Sequence, residues 1–447
     1  MGTPAIATII LAAGQGTRMK SKKSKVLHEI GGLSMLGHVL KSAGNLQPVT
    51  QTVVVGDGAT AVEDEAKKNV PGVKIAIQSP PRGTGDAVIQ AMPMLGDFQG
   101  VVIVLYADTP LVTPQTMNAL INTISDGAAV GVLGFRPDEP GAYGRLKKTP
   151  DGALDAIIEA KDASPEELKI DLVNSGVMAI DSQFLKAALP KIEPNNAKNE
   201  YYLTDLVSIA RSENLTCTAL EADTEEVIGV NSRIELAAAE KIFQNRSRNQ
   251  AMHDGVTLLD PSSVYFSHDT VIESDVVIEP QVFFGPGVTL KTGAVVKAFS
   301  HLEGTTIGNR ANAGPFARLR PGAQIGDDAK VGNFVEIKKA TLGPNAKVSH
   351  LTYIGDAEIG ADANIGAGTI TCNYDGFQKH FTKIGKGSFI GSNSSLVAPV
   401  TVGDGAYVGS GSVITKDIPD NALAVARGRQ SILEGWATRF RSKNKKA

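Results

Sequence analysis

From Ile384 onward an aliphatic residue returns at every sixth position: Ile384, Ile390, Leu396, Val402, Val408 and Ile414. With about one residue in four aliphatic, six hits in register arise by chance in roughly one window in several thousand. Glycine often follows the aliphatic (Gly385, Gly391, Gly403, Gly409), and the fifth position is small or β-branched (Ser388, Ser394, Val400, Ala406, Ser412). The same step recurs at Leu319, Ile325, Val331 and Ile337, and again at Leu342, Val348 and Ile354. A hexapeptide period predicts a parallel β-helix: each short strand points one aliphatic inward, and small residues let the chain turn a corner. Stacked aliphatics then replace aromatics as the core. That accounts for a chain of 447 residues with 47 glycines and only 5% aromatics.

Before about Gly255 the period is absent. Apolar runs at Ala5–Leu11, Thr52–Val55 and Val101–Leu105 alternate with helical patterns at Ser34–Lys41 and Thr113–Ile124. Such alternation predicts an α/β domain around a mainly parallel sheet. Between the halves, Ser232-Arg233-Ile234-Glu235 reads as a capping box that opens one long helix. The expected division is an α/β domain over 1–231, a linker helix over 232–252, a β-helix over 253–437 and a basic, disordered tail over 438–447. A net charge of −3 excludes a global basic field for nucleic acid or acidic lipid. Cys217 and Cys372 alone exclude a disulfide framework or a Cys-based zinc site. The apolar stretch Ile6–Ala13 is too short to span a bilayer and lacks a charged flank, so the expected home is the cytoplasm.

Two constellations carry chemistry. In the first, the run from Leu11 through Ala12, Ala13, Gly14 and Gly16 to Arg18 and Met19 follows the first strand, with Lys25 a few residues on. A glycine-rich turn there lets backbone N–H groups approach a polyphosphate, and Arg18 and Lys25 add cations. It is neither a P-loop nor G-x-G-x-x-G, and an ordinary tight turn would use the same Gly-x-Gly. The strand Val101–Leu105 runs into Tyr106-Ala107-Asp108, which places a carboxylate where open sheets bind ligands, suited to Mg2+ or to capping a loop.

These residues, with Gln78 and Gly83-Thr84-Gly85, resemble the sugar-1-phosphate nucleotidyltransferases. With the hexapeptide half attached, the chain from about Ala5 to Trp436 resembles the bacterial bifunctional N-acetylglucosamine-1-phosphate uridyltransferases/glucosamine-1-phosphate acetyltransferases. The resemblance implies a Rossmann-like nucleotidyltransferase domain followed by a left-handed β-helix that trimerises. It assigns uracil to Gln78 and Gly83, the phosphates to Arg18 and Lys25, and Mg2+ to Asp108 and Asn231. Leu11, Ala12, Ala13, Gly14, Thr84, Tyr106 and Ala107 fall in its nucleotide-binding motifs, and Gly144, Glu159 and Asn174 would hold N-acetylglucosamine. Two positions depart from the family pattern: Ala107 replaces a glycine, and Asp86 stands where histidine is frequent.

The second constellation consists of residues that break the hexapeptide rule. Arg320 and Lys338 occupy turn positions that glycine fills elsewhere, His350 and Tyr353 follow Val348, and Thr371 to Gly376 interrupts the register. Separately these read as salt-bridge partners, a solvated histidine and a packing tyrosine; Cys372 reads as a small buried residue or a thiol. Together they suit acyl transfer to an amine, which needs a base near neutral pH, and cations for a phosphate on the acceptor. The resemblance makes His350 the general base for the glucosamine amine. It gives the sugar phosphate to Arg320, Lys338, Tyr353 and Asn364, and places Asn373 and Tyr374 at the reacting centre. Ser392 would support the thioester, and Ala367, Ser410 and Arg427 would contact acetyl-coenzyme A; the family often has alanine at the position of Ser410. The sequence does not show which group orients His350; Glu336 is one candidate.

The resemblance therefore implies a cytoplasmic homotrimer that uses glucosamine-1-phosphate, acetyl-coenzyme A and UTP to make UDP-N-acetylglucosamine for peptidoglycan and lipopolysaccharide synthesis. Neither nucleic acid nor membrane insertion enters. A monofunctional nucleotidyltransferase with a regulatory solenoid predicts no set like His350, Asn373 and the cations. A silent scaffold predicts decay of Arg18, Lys25 and Asp108. Both sets stand.

Overall fold

The computed structural model describes residues 4–14, 16–196 and 199–444 and divides into two compact units, Met1–Asn245 and Arg246–Ala447. The division falls inside one helix, Arg233–His253. At its start the Glu235 N–H donates to Ser232 Oγ at 3.3 Å. The Glu235 carboxylate reaches one residue further back than a capping box requires, accepting from the Asn231 N–H at 2.7 Å.

In the first unit the sheet runs, in spatial order, Cys217–Glu221, Val130–Phe135, Val173–Asp181, Val101–Tyr106, Ile6–Leu11, Thr50–Gly56 and Lys74–Gln78. The central strands are buried on both faces and read as continuous apolar runs for that reason. The sheet is mixed: Val173–Asp181 pairs antiparallel with both neighbours. Two apolar layers, one around Ile10 and Leu40 and the other around Ile9 and Val88, fill its two sides. Strands ending at Leu11, Gly56, Gln78 and Tyr106 lie side by side, so their carboxyl ends form one rim.

The second unit is a solenoid of two- to seven-residue parallel strands, with the architecture of the hexapeptide left-handed β-helix. One ten-strand ladder runs from Thr257–Leu258 to Leu423–Ala424. Two further ladders are joined through the strands Glu336–Leu342 and Tyr353–Ile359, which run across the corner between them. A coil takes eighteen residues where Val277 pairs with Val295, three hexapeptides laid around a triangle. Every aliphatic of the Ile384–Ile414 series is buried. At the fifth position, buried Ser388, Ser394 and Ser412 each donate a hydroxyl to the carbonyl three residues back, satisfying a polar group inside the tight corner.

Two corners keep the six-residue step between inward residues from Ile272 to Ile414. The third does not: Leu302 to Ile307, Ile337 to Leu342 and Ile354 to Ile359 are five apart, and Thr371 to Ile384 is thirteen. Beyond the solenoid, where a disordered tail was expected from 438, Trp436–Asn444 forms a helix with every residue exposed; Trp436 and Phe440 stack 4.9 Å apart.

Candidate active sites

On the rim of the first unit lies a cleft of about 610 Å³. It is lined by Leu11, Ala12, Ala13, Gly14, Lys25, Gln78, Gly83, Thr84, Tyr106, Asp108, Glu159 and Asn174. Gly16 has φ of 62°, and a Cβ there would lie 2.5 Å from Lys25 Cβ; a side chain would push Lys25 aside. Lys25 is 8% exposed, with Nζ 2.5 Å from Asp108 Oδ2 and 2.9 Å from Asn231 Oδ1. Two oxygens distant in sequence thus converge on one positive charge. Gly144 and Asn174 meet through an N–H to carbonyl bond of 2.8 Å, and a Cβ on Gly144 would lie 3.6 Å from Glu159 Oε1. Enclosure and, after it, the Asp108 charge push the Tyr106 phenol above its ordinary value, so it stays protonated.

Four predicted residues stand off the lining: Gly144 and Asn231, which touch the lining residues Asn174 and Lys25, and Arg18 and Ala107. Arg18 is exposed on the short turn Thr17–Met19, where its charge reaches Tyr143. Ala107 is fully buried; its N–H donates to Leu11 O at 3.0 Å and its methyl packs in the core, so the extra carbon does not face the cleft. Glu200, Tyr202 and Thr204, which line the cleft, carry no local motif by which sequence could have found them.

In the second unit the ladder offsets place His350, Ala367, Ser392 and Ser410 one above another along one corner. Backbone bonds run between coils from Gly368 to His350, Asn393 to Ala367 and Gly411 to Ser392. Arg427 closes the row, donating to Ser410 O at 2.9 Å. Such a row, at about 4.8 Å per coil, suits an extended chain-like ligand. Asn333, one coil below, has Oδ1 2.6 Å from His350 Nδ1. The amide oxygen accepts, so Nδ1 carries the proton and, in the neutral ring, Nε2 keeps its lone pair. Glu336 does not orient His350; it accepts from Arg320 Nη1 at 2.8 Å.

Across the adjoining face, Tyr353 and Asn373 converge on Gly355: a Cβ there would overlap the tyrosine hydroxyl and sit 2.8 Å from Asn373 Nδ2. Asn373 is buried and donates to Asp356 Oδ2 at 2.5 Å. The interruption is an ordered loop, because Asp375 accepts from the Phe377 and Gln378 N–H groups and pairs with His380 at 2.6 Å. Those bonds hold the Asp375 carboxyl far below the usual carboxylate range. Lys379, inside this loop, was not singled out by sequence. Its charge, followed by that of Arg320, lowers the Lys338 pKa, so the three form one cationic patch. Asn364 is half-buried in register with Lys347, Tyr374 is exposed at the loop, and Cys372 is half-buried with Sγ 4.0 Å from Ile370 O.

Residues 8–163 match the MobA-like NTP transferase domain, and residues 304–339 and 381–416 match the bacterial transferase hexapeptide (six repeats). The Bifunctional protein GlmU of Paramagnetospirillum magneticum is 52% identical over 444 residues, 99% of this chain and 98% of that one. That of Paracoccus denitrificans is 52% identical over 435 residues, 97% of each chain. That of Maricaulis maris is 54% identical over 432 residues, 97% of this chain and 95% of that one.

Proposed function

The chain belongs to the GlmU family of bifunctional proteins, and from that premise we propose how its two sites divide the synthesis of UDP-N-acetylglucosamine. It is a nucleotidyltransferase and an acetyltransferase in one chain. The observation that carries the division of labour is that each unit holds a cluster of its own: Lys25, Asp108 and Asn231 in one, and His350, Asn333 and the Arg320–Lys338–Lys379 patch in the other.

At the solenoid site Arg320, Lys338 and Lys379 bind the phosphate of glucosamine-1-phosphate, with Tyr353 and Asn364 on the sugar. His350 Nε2 takes a proton from the amine, which attacks the acetyl carbonyl of acetyl-coenzyme A. The C–N bond forms, the C–S bond breaks, and coenzyme A leaves as the thiol. Asn373, Tyr374 and Ser392 surround the reacting carbonyl, and the row Ala367, Ser410 and Arg427 carries the rest of the cofactor. At the rim site the product's phosphate oxygen attacks the α-phosphorus of UTP in line, and the bond to pyrophosphate breaks. Lys25 and Arg18 meet the phosphate charge, Gln78 and Gly83 read uracil, and Gly144, Glu159 and Asn174 hold the acetylated sugar. Asp108 and Asn231 would hold Mg2+, whose chemistry here is charge neutralisation on the triphosphate. The donor set fits: two hard oxygens already converge on a cationic nitrogen, and the few protein ligands match the habit of Mg2+ to share its shell with phosphates and water.

A homotrimer through the β-helix is supported by an exposed ladder of stacked Phe299, Phe316 and Phe334, with ring centroids 4.9 and 5.0 Å apart. An apolar surface of that kind is what a subunit contact covers. Among the described residues no helix is long and apolar enough to cross a membrane. The cytoplasm, where UTP and acetyl-coenzyme A are made, is the compartment the reading requires.

The test is a coupled assay of the full chain with glucosamine-1-phosphate, acetyl-coenzyme A, UTP and Mg2+. UDP-N-acetylglucosamine should form only when all four are present. UDP-sugar formation at an undiminished rate without acetyl-coenzyme A would refute the proposed order.

A further inference from the structure

Asp86 lies in the first turn of the helix Thr84–Leu95 and is 2% exposed. Its Oδ2 accepts from Gln78 Nε2 at 2.8 Å, and its Oδ1 accepts from Arg82 Nη2 at 3.0 Å and Gln90 Nε2 at 3.3 Å. Asp86 is ion-paired with Arg82, and a carboxylate can only accept hydrogen bonds. Gln78 donates its second amide hydrogen to Gly83 O at 2.9 Å. Both N–H groups of Gln78, a residue 4% exposed on the cleft lining, are therefore taken up inside the protein. What remains for a ligand is the amide oxygen.

We propose that Asp86 is a specificity-determining positioning residue: it locks the Gln78 amide so that the cleft presents an acceptor, admitting a pyrimidine with an N3–H and rejecting one with a bare N3. Uracil has that donor. Cytosine would set a lone pair against the Gln78 oxygen, and an unpaired buried polar group is what makes such a site discriminate. Without the lock a glutamine can turn either end to the ligand. The inference rests on the reading of the rim site as a uridylyl-transfer site.

The test compares kcat/KM for UTP and CTP with N-acetylglucosamine-1-phosphate, using full-length wild type, Asp86→Ala, Asp86→Asn and Gln78→Leu. Asp86→Ala should lower the UTP/CTP ratio about tenfold or more, through a higher KM for UTP and a lower one for CTP, whereas Asp86→Asn, which can still turn an acceptor to Gln78, should lower it less. Acetyl transfer at the other site, the check on folding, should be unchanged. Gln78→Leu should also lower the ratio. A ratio within about twofold of wild type in Asp86→Ala, with Gln78→Leu still lowering it, overturns the role of Asp86. Parallel loss for both nucleotides with a lower melting temperature does the same, since it marks a structural role. An unchanged ratio in Gln78→Leu overturns base reading by Gln78, and the proposal with it. A wild type that releases no pyrophosphate from UTP overturns the uridylyl-transfer reading itself.

Discussion

Replacing Asn333 separates positioning from basicity at His350. The amide oxygen lies 2.6 Å from Nδ1 of an exposed imidazole, so it fixes both the ring and the tautomer that leaves Nε2 free. A neutral hydrogen bond of this kind contributes about 1 kcal/mol, and the freed tautomer and ring add a similar amount. Asn333→Ala should therefore lower kcat for acetyl transfer about five- to thirtyfold. The KM for glucosamine-1-phosphate should stay near wild type, because the phosphate cations lie elsewhere. Asn333→Asp keeps an acceptor but adds a negative charge, which favours the imidazolium, so the acid limb of the rate profile should move up by about one pH unit. That variant should be slow at pH 6.5 and approach the wild-type rate near pH 9. Thiol release from acetyl-coenzyme A, followed from pH 5.5 to 9.5, reads all of this. Wild-type kcat in Asn333→Ala, together with an unmoved profile in Asn333→Asp, would refute the orienting role.

Gly355→Ala should lower acetyl transfer at least about tenfold while sparing uridylyl transfer, because the new methyl displaces the Tyr353 hydroxyl and Asn373; activity within about twofold of wild type would contradict that crowding. Lys379→Ala should raise the KM for glucosamine-1-phosphate about tenfold or more, the worth of one charge-assisted contact, with a smaller change in kcat. Burial and, secondarily, Glu159 push the Asp205 carboxyl up to about 6. The folded form then binds that proton more tightly than the unfolded chain, whose value is about 3.9, so stability falls as pH rises from about 4 to 6. Calorimetry should find Asp205→Asn more stable than wild type at pH 7.5, with the gap closing at pH 4; an unchanged gap across that range would count against it.

The solenoid was legible because its signal is local: one inward aliphatic per six residues, with small residues between. Arg320, Lys338 and His350 stood out for the same reason, as exceptions to a short rule. Asn333 did not. Pairing His350 with its neighbour one coil down requires the coil length, and here Val331 pairs with Val348, seventeen residues on. A reader assuming three full hexapeptides would land on Gly332. Glu336 has the right charge but is spent on Arg320. Lys379 hid in the one segment without a period. In the first unit, strands and glycine turns were visible as runs, whereas Lys25 and Asn231 are 206 residues apart and meet only through the fold. The strand Val173–Asp181 runs antiparallel to both neighbours, and nothing in its residue pattern marks that direction.

The uneven third corner of the solenoid has an evolutionary consequence. Two corners must keep their step, because a residue gained or lost there would rotate every later aliphatic out of the core. At the third corner the chain has been shortened by one residue three times and lengthened by seven once, and the ladders above and below stay in register. Arg320, Lys338, Gly355 and Asn373 all lie there. Inheritance could thus tinker with a substrate pocket at that edge without endangering the scaffold. Loops grafted between Thr371 and Thr382 offer a designer the same latitude for acceptors of other sizes.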